Sequence, residues 1–241
     1  MKMLLLCLAA MLPASWAGAD VYGGFETFAD AGALKPFTRD LGGVLGSASF
    51  HSGRSLGFSG FDIGARMGMQ FYPEKGDSIL RNRGVKSFGL PWIQAEIGLP
   101  YRCDGFIRGI SYEGLTIAGG GLRYGLFKGS DKAWSPQLLV SAVAHSVVHQ
   151  YFSASHVGGG LVYSMGTPRF TPYLGAGLDR TRLVVRSSKL DSTLNGAEVT
   201  AVGSRFTAGM NLRLWTFGYI HAAYLLVHGQ SGAEAGLGVR F

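Results

Sequence analysis

From Phe61 to the last residue, apolar and polar positions alternate in runs of strand length. Phe61, Ile63, Ala65, Met67, Met69 and Phe71 alternate with Asp62, Gly64, Arg66, Gly68 and Gln70. Successive strand side chains point to opposite faces, so this run predicts a strand with one oily and one polar face. Ile93, Ala95, Ile97 and Leu99 alternate with Gln94, Glu96 and Gly98. Phe170, Leu174, Ala176 and Leu178 oppose Thr171, Tyr173, Gly175, Gly177 and Asp179. Phe206, Ala208, Met210, Leu212 and Leu214 oppose Thr207, Gly209, Asn211 and Arg213. At the C-terminus, Ala233, Ala235, Leu237, Val239 and Phe241 oppose Glu234, Gly236, Gly238 and Arg240. Weaker alternation predicts strands near 41–50, 105–113, 115–127, 137–149, 156–165 and 217–228. In 137–149 both faces are partly apolar, since Leu138, Val140, Ala142 and Ala144 oppose Leu139, Ser141, Val143 and His145. Ten or eleven strands emerge; closure and an even total predict ten to twelve, with twelve preferred.

Residues 20–39 break the pattern. Phe25, Phe28, Ala29 and Ala33 follow a helical period, with Asp30 and Lys35 on other faces. They predict a short amphipathic helix, ended or kinked at Pro36. It would plug a barrel, cap its periplasmic mouth or trail as a leader; a first strand over 21–28 is the alternative. Glycines on the polar strand faces (Gly64, Gly68, Gly175, Gly177, Gly236, Gly238) predict sharp bends or the close approach of another element. Turns are expected at 52–53, 103–105, 128–131, 166–168 and 230–232. The long polar connections 73–87 and 186–197 are expected to be external loops. Aromatics near strand ends, among them Phe71, Tyr72, Trp92, Trp134, Tyr151, Phe152, Trp215, Phe217 and Tyr219, predict girdles at both membrane interfaces.

The start of the chain decides which face is which. Lys2, an uncharged apolar stretch Leu4–Leu12 and the small residues Ala17-Gly18-Ala19 form a secretory signal pattern, too short to span a bilayer. Cleavage is expected after Ala19, giving a signal peptide at 1–19, an N-terminal helical plug or leader at 20–39 and a barrel at 40–241. After residue 20 no run approaches about 18 apolar residues. The chain is nevertheless 47% hydrophobic and only 15% charged. Only helices and closed barrels satisfy the backbone within lipid. The fold class expected is therefore all-β, a transmembrane antiparallel barrel in the outer membrane of a Gram-negative bacterium. Arg66, Glu96 and Arg213 then face the lumen, because a lipid-facing Arg at the midplane costs about 2–4 kcal/mol.

Composition adds bounds. Glycine supplies 38 of 241 residues, which opposes long helices. The net charge of +7 would fall to +6 on losing Lys2. For an exported barrel this favours lipopolysaccharide phosphates or a basic lumen, and no nucleic acid partner. Cys103 stands alone once Cys7 is removed, so no internal disulfide is expected.

Two segments carry a resemblance. The last strand, ending on Phe241, resembles the C-terminal strand of bacterial outer-membrane β-barrels. The resemblance implies that Phe241 is read by the barrel-insertion machinery. The run Leu41–Gly64, with Leu56-Gly57-Phe58-Ser59-Gly60-Phe61-Asp62 at its core, is similar to a segment of an uncharacterised bacterial outer-membrane β-barrel protein family. In that family an N-terminal helix precedes a Gly-rich hairpin. The likeness covers about residues 35–71 and implies fold and location but no activity.

Chemistry is sparse. The candidate lumen residues are Asp62, Arg66, Glu96, Arg123, His145, His149, Asp179 and Arg213. Asp62 is expected to pair with Arg54 in its hairpin or with Arg66 across the lumen, because buried polar groups need partners. Ser141, His145 and His149 share a strand face, so a nucleophile–base pair is the enzyme alternative, a lipid hydrolase or deacylase. No carboxylate lies near in sequence to orient the imidazole, and no cofactor or metal is called for. The expected function is a narrow or gated channel for small or apolar solutes, not an enzyme. The partners expected are outer-membrane lipid and lipopolysaccharide. A structural or adhesive surface barrel is the remaining alternative.

Overall fold

The computed structural model describes residues 21–127, 133–167 and 169–241. The expected signal peptide, the 128–131 turn and Pro168 of the 166–168 turn lie outside the described residues.

Ten antiparallel strands form a closed barrel: β1 (Phe61–Gln70), β2 (Phe88–Gly98), β3 (Cys103–Tyr112), β4 (Leu115–Gly125), β5 (Ser135–Val148), β6 (Phe152–Gly166), β7 (Phe170–Val185), β8 (Glu198–Arg213), β9 (Gly218–Val227) and β10 (Gln230–Arg240). Each strand pairs with its sequence neighbour, and β10 closes on β1 with Asp62 opposite Arg240 and Gln70 opposite Gly232. The barrel thus has ten strands, not twelve. The strand expected over 41–50 is instead the second half of a helix, which removes the eleventh. The 206–214 strand begins earlier, at Glu198, and the 170–179 strand runs on to Val185.

Three helices accompany the wall: α1 (Gly24–Phe28), α2 (Leu34–Gly46) and α3 (Ser78–Asn82, between β1 and β2). Among the described residues no helix is long and apolar enough to cross a membrane. Pro36 neither ends nor kinks α2. It sits in the first turn, where its missing N–H has no intrahelical partner to lose. The helix accordingly runs past residue 39 to Gly46. Leu34, Phe37, Leu41, Val44 and Leu45 recur at helical spacing and are all buried.

This helix lies inside the barrel. Its surroundings show two ends to the molecule. At the loop end, where the 71–87 and 186–197 connections lie, inward strand residues are apolar. Phe88, Leu90, Trp92, Ile117, Val147, Phe152 and Leu183 pack with Phe25, Phe37 and Leu41 in one cluster. Phe37 and Phe152 meet edge to face, with ring centroids 5.3 Å apart. Toward the other end, which carries Phe241, inward residues are polar and charged. Residues 47–60 form a strap that leaves the helix, crosses the lumen there and turns into β1.

The inward and outward assignments follow the sequence parity. Asp62, Arg66 and Gln70 are buried, whereas Ile93, Ile97 and Phe206 are exposed. Several end-of-strand aromatics do not join a girdle. Trp92, Phe152 and Tyr219 face the lumen and are buried. The exposed ones concentrate at the Phe241 end, with Tyr101, Phe127, Trp134, Trp215 and Phe217; Phe71 and Tyr72 mark the loop end.

Candidate functional site

The lumen wall meets the plug through charged side chains. Helix α2 ends in backbone carbonyls that have no intrahelical donor. Arg108 of β3 supplies donors: its guanidinium bonds Ser47 O at 2.8 Å and also Leu45 O. A cation at a helix C-terminus complements the carbonyl dipoles as well. Glu234 of β10 accepts from the Ala48 N–H at 2.8 Å, and Gly53 N–H donates to Ser164 Oγ at 2.9 Å. A Cβ on Gly53 would lie 2.8 Å from the carbonyls of Gln137 and Val162, so the strap runs hard against the wall.

Around the strap, four of the residues singled out in the sequence meet. Glu96 accepts from Arg66 at 2.6 Å, from Gln94 at 2.6 Å and from Arg123. Asp62 accepts from the Tyr219 hydroxyl at 2.8 Å. Arg66 lies 3.8 Å from Asp62, on the same face along β1 and not across the lumen as expected. Its guanidinium also reaches His51 Nδ1 at 3.1 Å. A second group forms farther round the wall. Arg205 donates to Asp179 at 3.1 Å, and His156 sits 3.6 Å from the same carboxylate.

His145 and His149 are placed apart. His145 Nε2 accepts from Arg108 Nε at 2.7 Å, and its ring lies near Trp92 and His156. His149 lies in the aromatic cluster at the loop end, beside Tyr22 and Phe152. Ser141 Oγ turns to Gly160 O at 3.4 Å, so the hydroxyl is not aligned on either histidine. Arg213 stands apart from all of these. It lines a cavity of about 490 Å³ at the Phe241 end with Arg54, Arg169, Arg240 and Asn211. No carboxylate side chain lines that cavity among the described residues.

Sequence reading did not single out Arg108, Arg205, His156, Tyr219 or the strap histidine His51 as lumen residues. Strand parity alone would have placed Arg108 inward with Asp104 and Phe106. Nothing local marked the helix carbonyls that need it.

At the loop end, chain elements converge on α1 and α2. Val21 N–H donates to Glu113 at 2.7 Å, Tyr151 OH to Glu26 at 3.0 Å, and Lys189 Nζ lies 2.7 Å from Glu26. The hydrogen bond from Lys189 holds the Glu26 carboxyl below its ordinary range. Nearby, burial and the facing Asp40 carboxylate push the Asp77 carboxyl up to about 8.

Similar solved structures are barrels. They include the N-terminal β-barrel domain of Pseudomonas aeruginosa OprF, with 16% identity over 77% of this chain and 99% of that one and a TM-score of 0.39. The Acinetobacter baumannii outer membrane protein Omp33 matches with 7% identity over 78% and 100%, at 0.35. Neisserial surface protein A matches with 18% identity over 79% and 97%, at 0.30. No protein-family model matches the chain, and no curated protein matches it. Likeness at this level carries no activity across.

Proposed function

We propose that the chain is an outer-membrane β-barrel acting as a gated conduit for small solutes, closed at rest by residues 34–60. The observation that carries this reading is a wall of lipid-type exterior around a lumen with a built-in stopper. Ile93, Ile97, Ile107, Leu122, Leu174 and Leu178 are exposed on the outward face, with Arg180 and Arg182 beyond them toward the loop end. Soluble proteins rarely expose such a belt, and a closed barrel leaves no unpaired edge for lipid to meet. Lys75, Arg81, Arg83, Lys86, Arg186 and Lys189 sit in the loop-end connections. They support an orientation with the loop end toward lipopolysaccharide phosphates and the Phe241 end toward the periplasm.

The cationic cavity at the Phe241 end supports a solute path that starts there and favours anions. The strap above it is held by hydrogen bonds that water can replace. The helix beyond it is held by apolar packing. Burying each of Leu34, Phe37, Leu41, Val44 and Leu45 contributes about 1.5–3 kcal/mol. Withdrawal of α2 is therefore rare without a driving force, and the resting protein should be electrically silent. The same packing favours a second reading, a permanently closed structural or surface barrel.

A reversible lock separates the two. A Cβ on Gly43 of α2 would lie 3.2 Å from Val227 Cβ, close to the about 3.5–4.5 Å of a disulfide. In a Cys103→Ser background, Gly43→Cys with Val227→Cys should pass solute under applied voltage when reduced and stay shut when oxidised. Folded protein that passes nothing in any state, by planar-bilayer current or liposome swelling, would establish the closed barrel instead.

A further inference from the structure

The loop end holds a cluster of ligand-type groups that the conduit reading does not use. Asp40 projects from α2, Glu74 lies in the β1–β2 connection and His228 in the β9–β10 turn. One ligand atom from each lies within 4.8 Å of the others. Asp40 is fully buried. Its Oδ1 meets His228 Nε2 at 2.7 Å and Gln70 Nε2 at 2.8 Å, and its Oδ2 accepts from Glu74 N–H at 2.7 Å. Arg39 holds Glu74 Oε1 at 2.6 Å. The other oxygen, Oε2, is buried with no partner in the protein.

A second observation comes from Asp77. It is fully buried, its Oδ1 caps α3 through Leu80 N–H at 3.0 Å, and its Oδ2 has no hydrogen-bond donor. The Asp40 carboxylate is its charged neighbour. Two buried carboxyl groups that face each other need a shared proton or a cation between them. Asp40 and Glu74 set two carboxylates against the one guanidinium of Arg39, so the cluster is acidic. A cation would engage the open Glu74 Oε2 and His228 Nδ1, both buried without a partner.

We infer that Asp40, Glu74 and His228, with Asp77 beside them, form a divalent-cation site that ties the plug helix to the β1–β2 connection and the β9–β10 turn. One imidazole nitrogen among carboxylate oxygens suits a borderline ion such as Zn²⁺, whereas Ca²⁺ takes an all-oxygen shell. The site stands whether or not the barrel conducts. It gives the loop end a clasp whose strength depends on the medium outside.

The test uses the full-length mature protein, folded in detergent, stripped with chelator and carrying Cys103→Ser to remove the thiol. Zn²⁺ is titrated by calorimetry, with metal content measured after desalting. One Zn²⁺ per chain and a raised unfolding temperature are expected. His228→Asn suits the turn, because residue 228 has φ 37° and Asn tolerates that region. It should weaken Zn²⁺ at least ~10-fold and abolish the temperature shift. Asp77→Asn leaves the cap oxygen in place and should also weaken Zn²⁺ while raising the stability of the stripped protein. Three results would overturn the site: no saturable Zn²⁺ binding by the parent, unchanged affinity in both folded variants, or saturation by Ca²⁺ in preference to Zn²⁺.

Discussion

A single carboxylate shows how tightly the lumen charges depend on one another. Glu96 sits between Arg66 and Arg123, and the side chains of all three are almost wholly buried. Replacing it with Ala would strand two guanidiniums away from water. Breaking a buried pair in this way costs about 3–5 kcal/mol. Glu96→Ala should therefore lower the denaturant midpoint of the folded barrel strongly, whereas Glu96→Ala combined with Arg66→Met and Arg123→Met should recover much of the loss. A triple variant as unstable as the single one would show that the acid has another task. Glu96, Asp62, Arg66 and Asp179 were all legible in the sequence, because each holds a polar position of an apolar–polar alternation, where facing lipid would be costly. Arg108 was not, since the groups it serves are backbone carbonyls of a distant helix.

At the scale of elements, the glycines of α2 explain both what was readable and what was not. Gly42, Gly43 and Gly46 face the wall. A Cβ there would overlap Thr181, Val227 or Asp179 respectively. Each glycine costs an isolated helix up to about 1 kcal/mol, so nothing local favoured a helix over 41–50 against the weak alternation there. Confinement in the lumen reversed that preference, because only a helix without side chains on this face fits between the strands. The same confinement blurred the alternation of β5, whose inward Leu139, Val143 and Val147 pack against the strap, the neighbouring wall or the apolar cluster instead of lining water. Gly43→Ala should destabilise the plug by about 1–3 kcal/mol through overpacking. The change should expose the 47–60 strap to protease. Adding Val227→Ala should restore protection; continued cleavage in that double variant would place the contact elsewhere.

For the whole molecule, orientation is the quantity that matters. If the loop end faces outward, protease added to intact cells should cut within 73–87 or 186–197. The connections at 99–102 and 214–217 should stay whole until the outer membrane is opened. Cleavage in the reverse order would turn the barrel over and move the cationic cavity to the exterior. The outward apolar positions and closure on an even number of strands follow from local pattern and were readable, but the count expected was twelve and not the ten found. The depth of the stopper was not, since it depends on which face of one helix meets which strands.

The seam between β1 and β10 has a further consequence. The strap enters β1 directly, and β1 is one of the two strands that close the ring. Helix and wall are thus a cord and the hoop it passes through, made from one piece. Side-chain clashes bar the helix from sliding in sideways once the hoop is shut. The only way in is then along the axis, through the mouth of the ring to which the cord is tied. The connectivity thus keeps a withdrawn stopper tethered at the rim, within reach of the opening it fills.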